Sequence, residues 1–141
     1  MCLLKDNSIK PKKPNTEGFC IGWKVIRDNN IAPFRTNYLY KLGVNKALSP
    51  TNDDLIDIAN VDNRVDTGLH LFLTRKDART DIKNWNEWKR ITKNANGFKI
   101  IKVYYKPEYV ISYGVFPTGI CDLTPCVAVK KLTVKSLNHV K

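Results

Sequence analysis

No stretch of the sequence approaches the run of about eighteen apolar residues that a membrane-spanning helix needs. The amino terminus, MCLLKDNSIKPKKPNTEG, lacks the charged start, long apolar segment and small-residue cleavage site of a secretion signal, so a cytoplasmic protein is expected, with no membrane partner. Cysteines are few. Cys2, Cys20, Cys121 and Cys126 make no Cys-x-x-Cys pair and have no histidine nearby, which argues against zinc. A 141-residue chain that is 43% hydrophobic buries a core without disulfide staples. There is no P-loop, no glycine-rich dinucleotide fingerprint, no paired carboxylates and no nucleophile motif. The expectation is a protein that is not an enzyme and that holds neither cofactor nor metal.

Acidic residues are also scarce: 13 against 24 Lys and Arg, a formal charge of +11 and a pI near 9.6. That balance favours an anionic partner, a nucleotide or a nucleic acid. The acids cluster in Asp53, Asp54, Asp57, Asp62 and Asp66, leaving the rest of the chain more basic still. Their spacing matches no EF-hand loop, and a solvated helix or loop is the simpler reading.

The apolar pattern predicts one α+β domain over residues 18–141, preceded by a flexible basic arm over 1–17 that is rich in Lys, Pro and Asn. FCIGWKVIR (Phe19 to Arg27) alternates as a strand, and Asp28 to Asn30 supply turn chemistry. Pro33 precedes a strand-like NYLYKL, and Ser49-Pro50 with Asn52-Asp53 opens a polar stretch suited to a short helix. In GLHLFLT, Leu69, Leu71 and Leu73 form one face, with His70 and Phe72 on the other. Thr74 and Asp77 then resemble a capping box. Ala78, Ile82, Trp85, Trp88 and Ile91 draw an apolar stripe along the helix that follows, and Gly97 is placed to cap its end. FKIIKVYYK, YVISYGVF and CVAVKKLTV are the remaining strands, giving a mostly antiparallel sheet with one main helix packed on it.

Rings and cations interleave in WKVIR, PFRTNYLYK and WNEWKR, a pairing that suits base stacking beside phosphate contact. Lys24, Phe34, Arg35 and Tyr40 are the ligand candidates from the first two segments; Trp23 is either a stacking ring or a core residue, while Trp85 and Trp88 on the helix stripe read better as core. His70 stands at a strand-to-helix junction where unpaired helix amides favour negative charge. It is either a ligand-facing donor or a buried histidine bonded to backbone. Arg75, in the first helical turn, is unfavourable to the helix dipole unless an anion visits. His70, Arg75, Phe34 and Arg35 are therefore expected to line an anion pocket. Cys2, exposed by removal of Met1, reads as a nucleophile or as a tail residue.

GLHLFLTRKDAR, IIKVYYKPEYVISY and VAVKKLTV together resemble the C-terminal domain of the rapid-lysis B proteins of T-even phages, through Gly68, Leu69, His70 and Ala78, then Val103, Pro107, Val110 and Ile111. The N-terminal half is similar to small proteins of gut bacteria and their phages, through Met1-Cys2, Trp23-Lys24-Val25, Ala32-Pro33-Phe34 and Tyr40-Lys41-Leu42-Gly43. These segments cover most of residues 20–134, with Ala32 standing where a Ser is usual. The resemblance implies a phage-type accessory protein acting in an infected cell; one class of these sequesters nucleotide defence signals such as cyclic ADP-ribose derivatives, and the net charge, the mixed aromatic and cationic turns and the lack of catalytic motifs fit such a binder. Nucleic-acid binding is the alternative. The pattern is also similar to an ADP-ribosyltransferase fold, but CVAVKKLTV lacks the late-strand Glu that activity requires.

Overall fold

The structure is a computed structural model in which residues 3–32, 38–47, 64–65, 68–92, 97–117 and 123–140 are described, with the backbone course alone at 64–65, 85–92 and 117. Among the described residues, nine strands and one α-helix follow in order: β1 (Leu3–Lys5), β2 (Cys20–Arg27), β3 (Gly43–Lys46), β4 (Arg64–Val65), β5 (Leu69–Phe72), α1 (Arg75–Thr92), β6 (Phe98–Tyr105), β7 (Val110–Pro117), β8 (Leu123–Val129) and β9 (Lys131–Val134). The strands form one sheet in the order β3-β9-β6-β2-β5-β8-β7-β1-β4, every pairing antiparallel. The fold is α+β, as the sequence predicts.

That order forces the sheet to curl. β8 lies between β5 and β7, yet β9, after Lys130 alone, lies between β6 and β3. Four strand positions in a flat sheet span about 19 Å, and one residue reaches only about 3.5 Å. The sheet must therefore roll until the end of β8 meets the start of β9. The same holds for β6 and β7, joined by a short 3-10 turn over Pro107–Tyr109. At the corner the Lys130 N–H donates to the Tyr109 carbonyl, and the Ala47 N–H donates to the Lys130 carbonyl, both at 2.8 Å.

Rolling gives the sheet an inside and an outside. Ile101, Val103 and Tyr105 of β6 turn inward with Leu71, Val127 and Leu132 to form the main core. On the outer side, Val25, Phe72, Ile100, Phe116, Cys126 and Ala128 form a second apolar layer beneath α1, which seats the fully buried Ala78 on it. The helix begins where the sequence predicts: the Asp77 N–H donates to the Thr74 Oγ1 at 3.1 Å, satisfying an otherwise orphaned amide. Asn30 takes a left-handed φ of 71° in the predicted turn.

Several expectations are corrected. The flexible arm is not flexible as a whole. Leu3 is fully buried, β1 pairs with β7 and β4, and the Lys12 Nζ donates to the carbonyls of Ile21, at 2.7 Å, and Leu73. A polar composition concealed one apolar anchor and one long side chain whose stem follows the core. On β5 the leucines turn inward and Phe72 outward as expected, but the outward side is packed as well: Phe72 is buried beneath α1, its ring meeting Phe116 edge-on at 5.9 Å, while His70 is half-exposed. NYLYKL forms only a single bridge, Ile31 to Leu39, while the strand falls at Gly43–Lys46. CVAVKKLTV is two strands broken at Lys130. Gly97 is absent from the positive-φ glycines. It keeps room for the Asp28 carboxylate, which a Cβ there would strike, and its carbonyl accepts from the Asp28 N–H at 3.0 Å. The expected short helix after Ser49, the metal-like cluster Asp53 to Asp57, Cys2, Cys121 and the side chains of Trp85 and Trp88 lie outside the described residues.

Candidate functional site: a lysine and aromatic face on the outer sheet

The strand-to-helix junction unites two of the predicted residues. β2 and β5 pair only at Trp23 and Phe72. Where they part, the Lys24 Nζ fills the gap and donates to the His70 carbonyl at 2.7 Å. The junction holds charges of both signs. Burial pushes the Cys126 thiol far above its ordinary range; Lys24 draws it back, while Asp81 and Asp77 push it further up, so all four groups share one neighbourhood. Asp81 is 7% exposed. Carboxylates so close to the start of α1 disfavour an anion there, while the Lys24 ammonium favours one. Arg75 opens the helix on the solvent side.

Of the remaining ligand candidates, only Tyr40 and Arg75 are described. Phe34 and Arg35 lie outside the described residues. Tyr40 is a correction: it is 2% exposed, a member of the inner core, with its ring 4.9 Å from that of Tyr38. A ring enclosed in this way has no face to offer a base.

A different surface brings rings and cations together. On the outer side of β2 and β6, Trp23 stands opposite Lys102 and Ile21 opposite Tyr104. Tyr104 in turn pairs with Thr133 of β9, and Thr133 with Val44 of β3. The Lys102 Nζ lies between two rings, 5.9 Å from the centre of Trp23 and 5.5 Å from that of Tyr104. Lys135 also lies over Tyr104, at 4.3 Å. Lys106 lies over Phe19 at 5.6 Å, and Lys131 over Tyr109 at 4.3 Å. Trp23, Lys102, Tyr104, Lys131 and Thr133 are half-exposed, and Lys135 and Lys46 are exposed. No Asp or Glu occurs anywhere in β2, β3, β6 or β9. At the rim, Glu108 approaches Lys106 at 4.0 Å in an exposed pair worth little.

Chemically, this face offers flat apolar rings and movable positive charge side by side. Exposed cation–π contacts are worth about 0.5–1 kcal/mol, and those of Lys102 lie near the outer limit of about 6 Å. A flat ligand displaces such a lysine from the ring at low cost, and the freed ammonium then meets whatever negative charge the ligand carries. Comparison with known protein families, curated proteins and solved structures gives no match.

Sequence reasoning missed Lys102, Tyr104, Lys131 and Lys135. One signal was present: Lys102, Tyr104 and Lys106 alternate along one strand, and Phe19, Ile21 and Trp23 along another. The register that sets those two rows side by side, Ile21 opposite Tyr104, is a tertiary fact.

Proposed function

We propose that the protein binds an anionic nucleotide ligand on the outer face of β2, β6 and β9, and releases it unchanged. The observation that carries this reading is Lys102, within reach of the rings of both Trp23 and Tyr104, with Lys135 also over Tyr104. The rings take bases by stacking, worth about 1–3 kcal/mol each, and the lysines take phosphate. The surplus of basic residues draws such a ligand in from a distance. In the phage-type accessory role, the same chemistry would hold a nucleotide signal away from its receptor. Nothing in this mechanism needs a nucleophile.

The test is titration with ADP-ribose and AMP, followed by fluorescence and calorimetry. Saturable binding is expected, with Trp23 fluorescence quenched, Lys102→Ala weakening affinity about tenfold (roughly 1.4 kcal/mol), and the ligand recovered intact on denaturation. Absence of binding, or time-dependent conversion of the ligand, would overturn the proposal.

A further inference from the structure

The lysines are distributed in a way that a single nucleotide does not explain. They lie on three strands, Lys102 on β6, Lys131 on β9 and Lys46 on β3, with Lys106 and Lys135 just beyond the ends of β6 and β9; Lys102 and Lys135 share the Tyr104 ring, but Lys106 lies over Phe19 and Lys131 over Tyr109. From β2 to β3 the face crosses three inter-strand spacings, about 14 Å. Stacked nucleotides advance about 3.4 Å each along a strand, so this width accommodates about four of them. The stacking platforms are also separate: Trp23 on β2, Tyr104 on β6, and Tyr109 at the corner beside Lys131. One base occupies one platform; filling three needs a chain.

We infer that the ligand of this face is a single-stranded polynucleotide laid across β2, β6, β9 and β3, an inference that rests on the nucleotide reading above and narrows it. A duplex keeps its bases stacked within itself and offers the rings no free base face, so it uses the lysines alone. An acidic protein likewise satisfies the charges and leaves the rings unused. The absence of carboxylates from all four strands suits a backbone carrying one negative charge per nucleotide along its whole path. The face is the outer side of a rolled sheet, which a flexible chain can follow and a rigid rod meets only along a line.

The experiment measures fluorescence anisotropy of labelled oligodeoxythymidylates of increasing length, a matching oligoribonucleotide, a duplex of equal length and a labelled mononucleotide. Affinity is expected to rise with length and level off at about four to six nucleotides, single strand binding well ahead of duplex. The log of affinity should fall with the log of salt, at a slope of about −0.7 for each phosphate engaged. Lys102→Ala and Lys135→Ala should each flatten that slope by about 0.7. Tyr104→Leu keeps apolar cover over the strand but removes the stacking face, and should weaken binding about tenfold with the slope unchanged. Circular dichroism checks that each variant is folded. If the mononucleotide binds as tightly as the longest oligomer, the polynucleotide inference falls and the nucleotide reading stands. If duplex matches single strand, or if the lysine variants leave the slope unmoved, the inference is wrong. If neither mononucleotide nor oligomer binds, both readings fall together.

Discussion

Two halves of one sheet face, carried by the same strands, differ in kind. Along β2 the outward residues change from buried Val25 to half-exposed Trp23, and along β6 from buried Ile100 to half-exposed Lys102. Val25 is paired with Ile100, and Trp23 with Lys102. A single two-residue step therefore leads from an apolar half, roofed by α1, to a half built of rings and lysines, with Trp23 packed against the first and bordering the second. The backbone, twist and register are common to both. What differs is whether another element covers the side chains, and composition follows: apolar residues where water is excluded, long cations with apolar stems where it is not. The uncovered half still presents flat apolar area, and that combination suits a ligand better than it suits bulk solvent.

The comparison breaks most completely when the covered half loses its outermost member. Deleting residues 1–17 removes Leu3 from beneath the second layer, the β1 pairings, and the Lys12 bonds across Ile21 and Leu73. Truncating a buried leucine alone costs about 2–5 kcal/mol, against a total stability of about 5–15 kcal/mol for a domain of this size. The truncated chain should lose its single cooperative transition in thermal or urea unfolding. A melt unchanged by the deletion would return residues 1–17 to the status of a loose arm.

Next in size is Ile100→Ala, which opens a cavity between α1 and the sheet and should destabilise by about 2–5 kcal/mol in urea titration. The backbone of Ile100 is also tied to the C-terminal tail: its N–H donates to the His139 Nδ1 at 3.0 Å and its carbonyl accepts from the Val140 N–H at 2.8 Å. These bonds survive the substitution, so the loss reports packing. Thr74→Ala should cost less, about 1 kcal/mol, by orphaning the Asp77 amide at the start of the roofing helix.

How far the two halves were legible in the sequence follows from where the information lies. The covered half was largely readable. Val25 and Ile100 fall in regular alternation, and Thr74 with Asp77 announces the helix within a few residues of the strand that it covers. The split of β5 into a leucine face and a Phe72 face was readable, but not that the roof would bury Phe72. Tyr40 looked like a turn residue because its burial depends on the rolled sheet closing around it, and closure is set by strand order. The uncovered half is a product of register: Lys102, Tyr104 and Lys135 meet only because β6 lies between β2 and β9. The arm was misread because polar composition says nothing about where one leucine docks.

A pH titration sharpens the comparison from within the covered half. Cys126 is a free thiol among apolar neighbours, and burial, with Asp81 and Asp77 nearby, keeps it protonated well above the ordinary thiol range. In the unfolded chain the same thiol ionises normally. Its contribution is therefore fully present at neutral pH and is lost as pH rises through the ordinary thiol range, since the unfolded state then gains a charge that the fold refuses. Stability measured from pH 7 upward should fall more steeply for the parent than for Cys126→Ala; parallel curves would refute this. In the native state a thiol reagent should leave Cys126 unmodified.

The smallest expected effect is the most discriminating. Lys102→Ala and Lys135→Ala remove half-exposed or exposed cations whose only described contacts are weak ones to Trp23 and Tyr104. The loss of cation–π attraction, about 0.5–1 kcal/mol, is opposed by relief of repulsion within a chain of net charge +11 and by the freedom regained by the neighbouring rings. Net changes in unfolding free energy should stay within about 0.5 kcal/mol, the range of ordinary surface substitutions. Lys102 lies two residues from Ile100 on the same strand and the same face, so the two variants test position with everything else held constant. If Lys102→Ala destabilised the protein as much as Ile100→Ala, the lysines would be part of the scaffold and the division between the halves would not exist. If its stability is unchanged while its salt-dependent binding is reduced, the same backbone carries stability on one side of Trp23 and recognition on the other.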